Sequence, residues 1–283
     1  MNETYNLIRG HSPLLISMPH VGTHIPAAIA ANMTPAALQL ADVDWHLRRL
    51  YDMAPALDAT ILSAKHMRYV IDLNRPADDT SLYPGLDTTG LCPIDTFSKQ
   101  PIYLANRQPT LADIQQRITH YWQPYHDQLR AELQRIKAIH GIAVLFDAHS
   151  IASQVPRFFS GKLADLNIGT VDTQSCAPAL QAAINQHMQD YASMSYARPA
   201  QHQPYSYVLN GRFKGGYITR HYGAPVNNIH AMQLEISQCI YMQESPPFDY
   251  TPQLADKLKP MLHSLLATCV TWAHKHQASE VHE

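Results

Sequence analysis

Ionisable residues cluster at the ends of apolar runs in this sequence, and their types suit metal-assisted or acid–base chemistry. His20 follows Leu14–Met18, Arg68 and Asn74-Arg75 bracket Tyr69–Leu73, and Asp147 and His149 follow Ile142–Phe146. Neutral imidazoles at His20 and His149 suit zinc, which in catalytic sites takes three protein ligands and keeps one position open. A carboxylate would complete such a set. Asp42 and Asp44 are the nearest to His20 in sequence, and either would also favour a helix N-terminus. His20 and His24 do not form a helical zinc motif, because Gly22 and Pro26 oppose a helix and the sequence holds no His-Glu-x-x-His.

Arg68 and Arg75 suit a carboxylate clamp, since a guanidinium fork matches a carboxylate through paired hydrogen bonds. Asn74 would add an amide donor; as a structural alternative, the arginines pair with Asp72 or Asp78. Glu235 lies inside the apolar run Met232–Ile236, where a carboxylate needs a partner or a function. The segment from Asn210 to His221 combines Arg212, Lys214 and Arg220 with flexible glycines, and fits either a closure over an anion or a basic hairpin. Other chemistries have no support. There is no Walker motif, no Gly-x-Gly-x-x-Gly after the first strand and no Gly-x-Ser-x-Gly. Ser150 adjoins His149, but neighbours on a strand point to opposite faces and make a poor dyad.

The elements that must position these groups follow from periodicity. Leu14–Met18, Thr60–Ser63, Tyr69–Leu73, Ile142–Phe146 and Met232–Ile236 read as strands. Helical patterns cover residues 44–57, Leu111–Ile139, Ala177–Tyr191 and Thr251–His274, and Thr34 suits the cap of another helix starting at Pro35. Residues 76–109, rich in Pro, Asp, Thr and Gly, form a long excursion of the kind that is usually functional. Strands alternating with helices imply a mostly parallel sheet covered on both faces, with ligands at the carboxyl ends of its strands.

Composition bounds the reading. At 283 residues, 46% apolar and 16% charged, the chain is globular and large enough for a substantial core. A net charge of −2, with no long charged block, disfavours nucleic acid or an anionic membrane as the main partner. No apolar run is long enough to span a bilayer. Four scattered cysteines read as small buried hydrophobes in a reduced, cytoplasmic setting. Neither a repeat nor a Gly/Ser-rich linker interrupts the chain, so residues 1–283 are expected to form one domain.

Taken together, the motifs resemble the N-formylglutamate amidohydrolases (deformylases) of histidine breakdown over nearly the whole length. The resemblance rests on the runs from Ser17 to Pro26, Asp42 to His46, Arg68 to Pro76, Leu82 to Gly85 and Thr89 to Pro93. It also includes Asp147 to Ile151, Asn167 to Thr170, the glycine-rich basic segment and Gln233-Leu234-Glu235. It implies an α/β/α sandwich around a mixed central sheet, similar in plan to zinc carboxypeptidases. It further implies one zinc on His20, Asp44 and His149, with Asp42 the alternative carboxylate and Glu235 the acid/base. The carboxypeptidase His-x-x-Glu is absent, since Thr23 stands three after His20, and Met67 precedes Arg68 where many relatives carry Ser. Under this reading Arg68 shares the charge on the formyl oxygen. Asn74 and Arg75 hold one carboxylate of a dianionic substrate, and Arg212, Lys214 or Arg220 holds the other. The alternatives are a zinc deacylase for another N-acylated acidic amino acid and a non-enzymatic binding protein for acidic amino acids, which would need no His20, His149 and Glu235 together.

Overall fold

The computed structural model describes residues 4–196 and 204–279. Seven strands form its sheet: β1 (Tyr5–Ile8), β2 (Leu14–Met18), β3 (Thr60–Ala64), β4 (Ala143–Ile151), β5 (Leu166–Gly169), β6 (Tyr207–Leu209) and β7 (Ile229–Ser237). The helices are α1 (Ala27–Ala30), α2 (Leu47–Leu50), α3 (Leu111–Arg117), α4 (Gln123–His140), α5 (Pro178–Tyr196), α6 (Tyr217–Tyr222) and α7 (Pro252–Ser279). The sheet order is β1-β3-β2-β4-β7-β5-β6. Strands β3, β2, β4 and β7 run parallel, whereas β1 and β5 pair antiparallel with β3 and β7. The sheet is therefore mixed, with a parallel centre.

Both faces of the central strands are covered, and alternation along each strand feeds two cores. Leu14, Ile16, Val144, Phe146, Met232 and Leu234 pack with α5 and α7 on one side. Leu15, Ala143, Leu145 and Ala231 pack with α4 and α6 on the other. These are the three layers of an α/β/α sandwich. Strands β4 and β7 are longer than their apolar runs suggest: both continue through the polar residues at their carboxyl ends, fully paired from Ala143↔Ile229 to Ile151↔Ser237.

Several expected elements differ, each for a local reason. The long helix over Leu111–Ile139 is present but broken by a π-helical turn at Ile118–Trp122. Pro124 supplies no backbone N–H to the ladder there. Thr110 and Asp113 form a capping box at its start, and Gly141 ends it at φ 72°. The pattern over residues 44–57 folds as α2 and a separate 3₁₀ turn, Ala54–Leu57, containing Pro55. The helix expected from Pro35 is only a 3₁₀ turn, Ala37–Gln39, whose N-cap is Ala36; the Thr34 hydroxyl accepts from the Ala37 N–H at 3.2 Å.

The largest departure is Tyr69–Leu73, which is not a strand. Its hydrophobic side chains are buried, but β3, the strand just before it in sequence, is already paired on both sides by β1 and β2 and leaves it no place alongside. Side chains satisfy its carbonyls instead. Tyr103 Oη donates to Tyr69 O (3.2 Å), Arg117 Nη1 to Val70 O (3.0 Å), His126 Nε2 to Leu73 O (2.9 Å) and Trp122 Nε1 to Arg75 O (2.9 Å).

His126 gives a pH prediction. It has no exposed surface, its Nδ1 accepts from Tyr222 Oη at 3.0 Å, and burial pushes its pKa down to about 3. The unfolded chain binds a proton at this residue near pH 6.5, whereas the folded chain resists it. Stability contributed by neutral His126 is complete above pH 6.5 and is lost as pH falls towards 3. His126→Gln is expected to flatten the decline in urea-unfolding free energy below about pH 6 by at most about 1.4 kcal/mol per pH unit. An unchanged slope would place the acid sensitivity elsewhere.

Candidate metal centre and active-site cleft

Strand register places the polar residues of β2, β4 and β7 in consecutive layers on the α4 side of the sheet. Leu15, Leu145 and Ala231 lie level with one another; Ser17, Asp147 and Gln233 form the next layer; His149 and Glu235 follow. Period-two alternation thus turns one apolar face polar at the carboxyl end of all three strands. His20 sits in the turn after β2, and Asp44 is tied to it by an N–H donated to His20 O at 3.0 Å.

His20, Asp44 and His149 each present one ligand atom within 4.8 Å of the other two. Asp44 Oδ2 lies 3.1 Å from His149 Nδ1 and 3.8 Å from His20 Nδ1. The far nitrogens are held by other carboxylates. His20 Nε2 donates to Asp72 Oδ1 (2.7 Å), and His149 Nε2 donates to Asp147 Oδ2 (2.9 Å). This pattern turns both Nδ1 atoms towards Asp44, the orientation that metal-ligating histidines take. Asp42 is elsewhere, with its carboxylate accepting from the Phe97 N–H at 2.9 Å.

The supporting shell is built from residues far apart in sequence. Asp72 also accepts from the Asn74 N–H (2.8 Å) and from Arg68 Nη2 (2.5 Å), so one carboxylate fixes a histidine, a backbone turn and an arginine. Asp147 Oδ1 accepts from Ser17 Oγ at 2.9 Å, and Ser17 is in turn bonded to Tyr125 Oη at 3.0 Å. Asn74 Nδ2 lies 3.4 Å from Asp147 Oδ2 while its Oδ1 accepts from the Ile218 N–H at 2.8 Å. Asn74 therefore ties α6 to the His149 support while it lines the cleft. Gly216 permits this approach: a Cβ there would stand 2.3 Å from Asn74 Nδ2.

Electrostatics separate the groups. Burial lowers the His20 pKa, reinforced by Arg68, and keeps the imidazole neutral. His149 is held well above its ordinary value, because Asp147 and Asp44 outweigh its burial. Asp72, despite burial, is held well below the carboxylate range by Arg68 and His20. Burial pushes Glu235 up to about 8 against the pull of His149. Asp44, Asp72, Asp147 and Glu235 are at most 8% exposed, and Arg68 is the arginine among them. That excess of buried carboxyl groups, with two Nδ1 atoms facing a carboxylate, fits a divalent cation.

The cleft is lined by His20, Asp44, Arg68, Asn74, Arg75, His149, Arg212 and Glu235 from the predicted set. Lys214 is outside the lining and pairs with Asp172 at 2.8 Å. Arg220 is also outside: its Nε donates to Gly215 O, and its guanidinium carbon lies 5.3 Å from the Tyr83 ring centroid. The basic segment is a loop followed by α6, not a hairpin, so its three cations diverge. Arg75 Nε donates to Thr89 O at 2.8 Å. Tyr83, Thr88, Thr89 and Phe97 bring the long excursion into the wall, where Arg157 staples it through Asp87 and Asp95. The pairing of Arg68 with Asp72, given from the sequence as the structural alternative, does form. What the sequence reading did not assign was the hold of Asp72 on His20 and of Asp147 on His149, although Asp147 stands out beside His149, two residues before it on the same strand face.

Fold and site together define an α/β/α protein whose sheet end carries a His/Asp/His group able to hold a divalent cation inside a cleft rich in arginine. A family profile for N-formylglutamate amidohydrolases matches residues 12–242, and the chain belongs to that family. A protein of Pseudomonas aeruginosa named N-formylglutamate deformylase is 45% identical over 98% of this chain and its own full length. A Pseudomonas putida protein of the same name is 42% identical, covering 96% of this chain and 97% of its own. The crystal structure of an N-formylglutamate amidohydrolase from Ralstonia eutropha JMP134 superposes with a TM-score of 0.79 at 23% identity, covering 96% of this chain and 99% of that one.

Zinc titration is expected to fill one site per chain, and His20→Ala or His149→Ala to lose it. Asp72→Asn keeps the shape but weakens the hold on His20, so zinc affinity should fall by about 10- to 100-fold. Competition with a chromophoric chelator measures this. Wild-type affinity in Asp72→Asn would remove Asp72 from the support of the centre.

Proposed function

We propose that the protein is a zinc-dependent hydrolase of N-formyl-L-glutamate, releasing formate and L-glutamate. The observation that carries this reading is Glu235, which stands directly beside His149 in the strand register and lines the same cleft as His20, Asp44, Arg68, Arg75 and Arg212. A protein that only bound acidic amino acids would use the arginines and have no need of a buried carboxyl next to a His/Asp/His group. The names of the two Pseudomonas relatives support the substrate assignment.

His20, Asp44 and His149 would hold the cation, which when bound supplies Lewis-acid polarisation of an amide carbonyl and acidifies water near neutral pH. The protein's own groups do the rest. Arg68 lines the cleft with its guanidinium anchored by Nη2 on Asp72, a fixed cation for the formyl oxygen as negative charge grows there. Glu235 accepts a proton from the attacking water and delivers it to the departing amine nitrogen. Its raised pKa, near 8, suits a group that must both take and give a proton close to neutrality. Arg75 and Arg212 are the cations of the lining that remain for the two substrate carboxylates.

Formate release from N-formylglutamate, compared with the N-acetyl and N-succinyl analogues before and after chelation, tests the reading. Activity is expected on the formyl substrate, to disappear with a chelator and to return with zinc. Strong preference for a longer acyl group would favour a different deacylase. Glu235→Gln should keep zinc while kcat falls by roughly 10²-fold or more; a zinc-loaded variant with near-normal kcat would pass the role to Asp147. Arg75→Lys should raise KM by about tenfold or more with the fold intact, and an unchanged kcat/KM would show the clamp to be misassigned.

A further inference from the structure

Phe97 separates the cleft from a second, roomier space. The cleft, about 80 Å³, shares Phe97, Ser150 and Ile151 with a neighbouring cavity of about 320 Å³. Asp42 and Val43, next to the ligand Asp44, line this neighbour, whereas Arg75 and Arg212 do not reach it. The second cavity therefore adjoins the metal-ligand side of the cleft and not its cationic end. Of the three shared residues, Ser150 and Ile151 are fixed on β4, with the Ser150 hydroxyl accepting from Tyr241 Oη at 2.7 Å and Gln238 Nε2 at 3.3 Å. Phe97 comes from the long excursion and is the largest side chain of the three.

The ring is held firmly. The Arg68 guanidinium carbon lies 4.8 Å from its centroid, and the Phe158 ring meets it edge-on at 4.9 Å with 72° between planes. Its backbone N–H is fixed on Asp42. An acyl oxygen held by Arg68 brings the acyl carbon next to the ring stacked on that same guanidinium. On a formyl group the remaining substituent is a hydrogen; on an acetyl group it is a methyl that must displace the ring, and packed aromatic walls resist such overpacking.

We propose that Phe97 is the residue that sets acyl-group size, excluding anything larger than formyl by closing the acyl end of the cleft against the neighbouring cavity. This rests on the proposed reading of Arg68 as donor to the amide oxygen. Removing the ring joins the two spaces and gives a longer acyl group somewhere to go.

The test compares kcat/KM for N-formyl-, N-acetyl- and N-succinylglutamate in wild type, Phe97→Ala and Phe97→Leu. The acetyl-to-formyl ratio is expected to rise by about tenfold or more in Phe97→Ala, the scale of one methyl in a tight pocket, and by less in Phe97→Leu. The leucine variant keeps most of the packing and secures a folded protein for the comparison. Equal losses on all substrates, with the ratio unchanged, would mean that Phe97 only braces Arg68, and would overturn the gate. A wild-type protein that releases no formate overturns the underlying reading and the gate with it. A wild-type protein that does, with variants keeping its ratio, overturns the gate alone.

Discussion

Carboxyl groups of Asp44, Asp72, Asp147 and Glu235 are buried together at one end of the sheet, and the cost of burying like charges is the constraint the surrounding structure answers. Each is dealt with differently. Asp72 is ionised and saturated, with His20, Arg68 and a backbone N–H on its two oxygens. Asp147 takes Ser17 on one oxygen and His149 on the other. Asp44 is turned to two imidazole Nδ1 atoms, the arrangement a cation completes. Glu235, whose hydrogen bond to Gln233 is long at 3.5 Å, is the one whose proton affinity rises. Similar side chains thus acquire separate duties from their partners alone.

The geometry of that cluster depends on a segment with no regular structure. Residues 69–75 carry Asp72, Asn74 and Arg75, and their carbonyls hang on side chains of Tyr103, Arg117, Trp122 and His126. Three of those four donors lie along the broken helix of α3, the π-helical turn and α4. A helix used as a scaffold for loop carbonyls must present donors over several turns, and the irregular turn before Pro124 carries Trp122 within it. His126 is neutral because its nitrogens are spent on Leu73 O and Tyr222 Oη in a dry core. The support of the site is thus continuous with the hydrophobic packing beneath it.

The long excursion closes the other side. Arg157 gathers Asp87 and Asp95, which sets Thr88, Thr89 and Phe97 against the cleft. Phe97 in turn lies against Arg68, so a residue of the loop wall and the arginine anchored on Asp72 are packed as one unit. The loop is therefore coupled to the buried charges it covers.

Much of this was legible in the sequence. The apolar runs of β2, β3, β4 and β7 and the helical patterns over residues 111–139, 177–191 and 251–274 follow from periodicity, and the layered fold follows from their alternation. His20, Arg68, Arg75, His149 and Glu235 stand out as ionisable residues in or beside apolar runs, Asp44 follows from the family resemblance and Arg212 from the glycine-rich segment, and all line one cleft. What the sequence could not decide were contacts made by chain distant from itself. Tyr69–Leu73 has the composition of a strand, but a strand needs an open neighbour, and only the assembled sheet shows that β3 has none. Short strands such as β1 and β6 carry too few residues for a period to register. That the Asn74 oxygen also anchors α6 depends on a contact 144 residues away. Lys214 and Arg220 read as equals of Arg212 until the turn at Gly215 and the start of α6 send them elsewhere. Residue type and local spacing fix which groups can do chemistry; tertiary pairing decides which carboxylate holds a histidine, which joins a group able to hold a cation and whose proton affinity rises, because those outcomes depend on burial and on partners that local spacing does not encode.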